Sequence, residues 1–138
     1  MFSKILIANR GEIALRIIST CKKMGIKTVA VYSDSDSESL HVQESDESYS
    51  IGGNAPSESY LKIKGIIEAA KSTGADAIHP GYGFLSENAD FAKACEKADI
   101  TFIGPEPKVM KRMSNKVRAR KLAKKAGLPV LPGSEGEV

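Results

Sequence analysis

The sequence predicts an α/β fold, a parallel sheet covered by helices on both faces. Short continuous apolar runs alternate with segments of helical periodicity, and glycine follows the helical segments. An uninterrupted apolar run suits a strand buried on both faces, and each intervening helix supplies the long crossover that parallel strands require.

KILIA, Lys4 to Ala8, is the first strand. After NRGE comes a helix with Ile13, Ile17, Cys21 and Met24 on one stripe and Ala14 and Ile18 beside it. Gly25 closes that helix just past its C-cap. KTVAVY, Lys27 to Tyr32, is the second strand, and SYSI, Ser48 to Ile51, the third, after a polar Ser/Asp-rich connection. Ser59 to Thr73 is expected as a helix with Tyr60, Ile63, Ile67 and Ala70 on one face, ended by Gly74. ADAIH, Ala75 to His79, is the fourth strand, Glu87 to Ala98 a helix, and TFI, Thr101 to Ile103, the fifth strand. Right-handed crossovers make this sheet Rossmann-like, with ligand sites outside the carboxyl ends of its strands.

GPEP, Gly104 to Pro107, punctuates the chain. Pro107 suits the first turn of a helix to about Met113, and Ser114 can cap another from Asn115 to Ala126, stopped by Gly127 and Pro129. No internal repeat is visible, and the chain ends at GSEGEV without a terminal element, as expected of a piece of a longer protein.

The 138 residues suffice for one domain with a core and the beginning of another. No apolar run exceeds four residues, far below the roughly 20 needed to cross a bilayer. A strand-like segment by Lys4 leaves no room for a signal peptide, so the expectation is a cytoplasmic protein with no membrane partner. Cys21 and Cys95 lie in helical patterns without a CxxC or a histidine at ligand spacing; they are expected as buried thiols, with no metal site. The net charge of +3 conceals a division: 11 basic against 15 acidic residues up to Glu106 (−4), then 9 against 2 (+7).

Three stretches are candidates for chemistry. ANRGE, Ala8 to Glu12, occupies the turn where a dinucleotide fold places G-x-G-x-x-G, but only Gly11 is present. A structural turn with local contacts of Arg10 and Glu12 accounts for it better. In HPGYGFLSEN, His79 to Asn88, Gly81 and Gly83 allow backbone that Cβ would penalise, and Tyr82 between them can project as an amphipathic plate. The alternative is that Tyr82, Phe84 and Leu85 pack on a helix while the glycines relieve the turn. His79 is expected as a satisfied strand-end residue, and Glu87 as a partner of the helix dipole. The basic segment Lys108 to Lys125 suits phosphate, yet it has no interleaved aromatic residue and no nucleic-acid reading motif. A solvated helix face and a nucleotide phosphate met by one or two lysines are its other readings.

Taken together, IANRGEIALRI (Ile7 to Ile17), GIKTVAVYS (Gly25 to Ser33), AIHPGYGFLSENADFA (Ala77 to Ala92), FIGP (Phe102 to Pro105) and NKVRARKLAKKAGLPVLPGS (Asn115 to Ser134) resemble the N-terminal part of biotin carboxylase. That family is the ATP-dependent component of acetyl-CoA, propionyl-CoA and pyruvate carboxylases. The resemblance implies a pre-ATP-grasp domain over residues 1–113 and the first helix of an ATP-grasp region over 114–138. It implies a parent that uses ATP and Mg2+ to activate bicarbonate and carboxylates biotin held on a carrier protein, with a carboxyltransferase as further partner. By position, Lys116 matches the lysine that contacts ATP, and Tyr82 and Gly83 match the loop on the biotin and bicarbonate side. Ser114-Asn115 stands where the family usually has Gly-Asp. Ser19 and Lys23 replace an Arg and a Glu that join bacterial subunits into a homodimer. The glycine-rich lid, magnesium-binding glutamates and catalytic arginine belong to later parts of the family, so this chain holds no catalytic residue of its own and is expected to be inactive alone. Two rival readings are a noncatalytic Rossmann-like binding module with a basic helix, and another ATP-grasp ligase of carbamoyl-phosphate or purine-pathway type. HPGYGFLSEN opposes the latter, because those relatives do not usually carry it.

Overall fold

The computed structural model describes residues 1–114. Its sheet comprises β1 (Lys4–Ile7), β2 (Lys27–Ser33), β3 (Glu47–Gly52), β4 (Ala77–His79) and β5 (Thr101–Phe102), all paired parallel in the order β3-β2-β1-β4-β5. The chain builds outward from β1 to β3, then returns to lay β4 on the other side of β1. That reversal is the switch point at which open α/β sheets bind ligands, and it places Asn9 and His79 at neighbouring strand ends.

Successive side chains of a strand point to opposite faces, and β1 fills both. Ile5 and Ile7 join Ala14, Ile17, Ile18 and Cys21 of α1 (Gly11–Lys23) in one buried cluster. Leu6 and Ala8 join Ile66, Ala69 and Ala70 of α3 (Ile63–Thr73) and Phe91 and Cys95 of α4 (Ala89–Lys97) in the other. Between them, α2 (Leu40–Glu44) packs beside α1, and α5 (Pro107–Ser114) against α4. Helices therefore cover both faces, as the uninterrupted apolar strands require.

Several expected boundaries move. The helix from Ser59 begins instead at Ile63: Ser59 and Leu61 both donate their amides to the Pro56 carbonyl, closing a turn after the 3-10 segment Pro56–Glu58. Tyr60 fits the helical period only by coincidence, and the buried face of α3 is Ile66, Ala69 and Ala70. Met24 leaves the core stripe because α1 has already ended; it is the C-cap and is exposed. The polar connection after β2 contains a 3-10 turn, Asp34–Asp36, and α2, too short to show a period. The helix expected from Glu87 begins at Ala89, with Asn88 as its cap, its Oδ1 accepting the Phe91 amide at 3.0 Å. Gly25 and Gly74 end their helices as expected. The expected helix from Asn115 to Ala126 lies outside the described residues.

Candidate functional site

Asn9 follows β1 at the strand-order reversal and is only 3% exposed. Its Nδ2 donates to the Pro80 carbonyl at 2.8 Å and to the Tyr82 carbonyl at 2.7 Å, which uses both amide hydrogens. Its Oδ1 accepts the Arg10 amide at 2.8 Å. One buried side chain thus ties the turn after β1 to the turn after β4.

The second turn is shaped by three residues at positive φ: Gly81 (+67°), Gly83 (+69°) and Phe84 (+43°). At Gly81 a Cβ would also lie 2.8 Å from Asn9 Nδ2, so the glycine serves both conformation and close approach. At Gly83 a Cβ would meet nothing within 4 Å among the described residues, so there conformation is the constraint they impose. Tyr82, between the glycines, is 68% exposed. Both readings of this block hold in part: Tyr82 stands out into solvent, while Leu85 is buried and Phe84 stacks on Tyr60 with ring centroids 5.2 Å apart.

Tyr60 leads to an ionic cluster. Its hydroxyl donates to Asp36 Oδ2 at 2.6 Å and accepts the Ser33 amide at 3.2 Å. Arg10 grips the same carboxylate with Nε on Oδ2 at 2.6 Å and Nη2 on Oδ1 at 2.8 Å. That two-pronged hydrogen bond holds the Asp36 carboxyl well below the usual carboxylate range and raises the Arg10 guanidinium above its ordinary value. Burial, then donation to Asp36, pushes the Tyr60 phenol up to about 12. Arg10 therefore contacts a residue 26 positions away, correcting the expected local turn, and Glu12 is simply exposed.

His79 is half-buried and accepts the Gly81 amide on Nδ1 at 3.0 Å, so its neutral form carries the proton on Nε2. This satisfies the strand-end expectation. Glu87 precedes the Asn88 cap and Asp90 is the acidic residue of the first turn of α4, so the dipole role falls to Asp90. Cys21 and Cys95 are free and buried. Among the described residues no group of three or more His, Cys, Asp or Glu is placed to hold a metal ion. A hollow of about 620 Å³ on the α1 face is lined mainly by apolar side chains, including Ile5, Ile13, Ile17 and Ile103. Its polar lining is limited to Arg16, Thr20 and His79. Lys116 lies outside the described residues.

Sequence reasoning found the Tyr82 turn but passed over Asn9 and Asp36. A polar Asn at the carboxyl end of a buried strand beside a topological switch was the available signal for the first. Nothing in the DSDS run, Asp34 to Ser37, singles out Asp36.

Comparison with known proteins places this architecture. Residues 1–110 match the model of the biotin carboxylase N-terminal domain. The chain belongs to that family. Biotin carboxylase of Halalkalibacterium halodurans is 59% identical over 135 residues, which cover 98% of this chain and 30% of the relative. Mitochondrial pyruvate carboxylase of Mus musculus is 54% identical over 136 residues, 98% of this chain and 12% of that one. The solved biotin carboxylase domain dimer of Hydrogenobacter thermophilus 2-oxoglutarate carboxylase, in complex with MgADP, ADP and bicarbonate, matches with a TM-score of 0.92 and 51% identity. That match covers 99% of this chain and 30% of the other. The chain thus spans about 30% of the length of the two biotin carboxylase relatives, and less of the longer pyruvate carboxylase.

Proposed function

We propose that this chain is the N-terminal part of an ATP-dependent biotin carboxylase. The observation that carries the proposal is the family match over residues 1–110, within which the Tyr82 turn stands at the switch point of the sheet. In the parent, ATP with Mg2+ would activate bicarbonate, and biotin on a carrier protein would receive the carboxyl group for a carboxyltransferase. The described residues contribute a wall. Tyr82 offers an exposed aromatic plate, and Gly83 beside it leaves open space where a neutral bicyclic ring can come close to backbone. ATP, Mg2+ and the chemistry of transfer require the remainder of the protein, since phosphoryl transfer rests on charge neutralisation from several directions.

The domain is read as ending near residue 113, supported by the family match closing at 110. Lys116, just beyond, is read as the lysine that meets ATP, on the strength of the matching NKVRA block. A reducing, cytoplasmic setting is supported by two free buried thiols. No described helix is long and apolar enough to cross a membrane. Relatives named for pyruvate and for 2-oxoglutarate match this chain at 54% and 51% identity. The acceptor acid is accordingly assigned to the carboxyltransferase, not to this chain.

The test is steady-state kinetics on the complete carboxylase that carries this chain. ATP cleavage dependent on both bicarbonate and biotin is expected, and its absence with all substrates present would refute the assignment. Lys116→Ala should raise the ATP KM or lower kcat by about tenfold or more. Unchanged values would remove Lys116 from the site. Titration of the 138-residue chain with MgATP should show very weak or no binding.

A further inference from the structure

We infer that Asn9 is the positioning residue of the biotin-side wall: it does not touch the ring but fixes the turn that presents Tyr82. The inference rests on the reading of Tyr82 given above. Asn9 gives both hydrogens of one buried amide to the carbonyls on either side of Gly81, Pro80 O at 2.8 Å and Tyr82 O at 2.7 Å. Gly81 lacks the Cβ that would collide with that amide. On its far side the same turn is held by Phe84, stacked on Tyr60, which is tied through Asp36 to Arg10, the neighbour of Asn9.

The contacts close a ring from Asn9 through Arg10, Asp36, Tyr60, Phe84 and Tyr82 back to Asn9. Within it, only Tyr82 has a largely exposed aromatic ring; those of Tyr60 and Phe84 are buried or half-buried. Phe84 and Leu85 pack the far end of this turn, but its exposed tip at Tyr82, flanked by two glycines at positive φ, has no such packing. Anchored carbonyls supply what packing does not. An aromatic wall contributes more to binding when it is fixed before the ligand arrives, because ordering it afterwards offsets part of the gain.

Asn9→Asp keeps the size of the side chain but turns two donors into a carboxylate facing two carbonyls. In the complete carboxylase it should raise the KM for free biotin about tenfold while moving the KM for ATP by less than about twofold. Chymotryptic cleavage after Tyr82 should accelerate by about fivefold or more, reporting the freed turn without reference to turnover. Adding Asn9→Asp to Tyr82→Ala should leave the biotin KM where Tyr82→Ala alone puts it, because a residue that acts only through Tyr82 has nothing left to position. Additive effects, equal shifts in both KM values, or unchanged cleavage would overturn the inference. A biotin KM that responds to Tyr82→Ala but not to Asn9→Asp removes the positioning role alone, whereas one indifferent to Tyr82→Ala removes the reading beneath it. Should Asn9→Asp fail to fold, Asn9→Ser, whose hydroxyl is too short to span both carbonyls, is measured against the same outcomes.

Discussion

At the scale of single residues, the carboxyl end of the sheet is held together by the buried polar side chains of Asn9, Asp36 and Tyr60. Tyr60 shows why this matters. Its hydroxyl accepts the buried Ser33 amide and donates to Asp36, so Tyr60→Phe strips an acceptor from one group and a donor from the other. An unsatisfied buried group costs about 1–3 kcal/mol, and Tyr60→Phe should lower stability to denaturant by an amount in that range with the Phe84 stack preserved. A loss close to zero would mean that water enters and replaces the hydroxyl. Asn9 works by the same economy of donors, and neither its role nor that of Asp36 is written in residue type. Asp34 and Asp36 are alike in sequence; only the fold brings one of them to Arg10 and Tyr60.

Elements are decided by a balance between period and local turn chemistry. The strands and α1 were legible because burial on both faces leaves an uninterrupted apolar run and a helical stripe. The start of α3 was not, since Tyr60 sat at the right interval while the Pro56 carbonyl closed a turn around it. The turn after β4 gives a sharper comparison, because Gly81 and Gly83 share nearly the same φ but not the same surroundings. Alanine at either position pays for a left-handed backbone, roughly 1–2 kcal/mol. Gly81→Ala must in addition displace Asn9, whereas Gly83→Ala meets open space. Denaturant midpoints should therefore fall further for Gly81→Ala than for Gly83→Ala, and the reverse order would deny that the Asn9 approach is what Gly81 accommodates.

Across the whole molecule, pH acts through groups kept neutral by burial. Desolvation lowers the imidazole pKa of both His41 and His79 in the folded chain. Below the ordinary value of about 6.5 the unfolded chain then binds more protons than the folded one, so stability falls as the pH drops through and below that point. His41 is the more deeply placed, with Nε2 3.2 Å from the Val31 carbonyl and Nδ1 buried without a partner among the described residues. Thermal midpoints measured between pH 7.5 and pH 5.5 should decline, and His41→Gln should make the decline shallower; an identical slope would exclude His41 as a source. Asp36 acts in the same direction further down. Its lowered pKa contributes stability above about pH 3.9 that is lost as the pH falls through the folded value.

By itself the sequence determined the parallel α/β sheet, the helices that cover it and the family, because burial on both faces and long blocks in register leave traces in residue order. It also marked the Tyr82 turn, since glycine on both sides of an aromatic residue is a local signal, while the exposure of the ring was read from the structure. Only the tertiary structure decided that Asn9 faces Pro80 and Tyr82, and that Arg10 reaches Asp36 rather than a neighbour. The reason is physical: a hydrogen bond between residues 26 or 73 positions apart depends on which strands lie side by side, β1 beside β2 for the first and beside β4 for the second, and no local pattern encodes that placement.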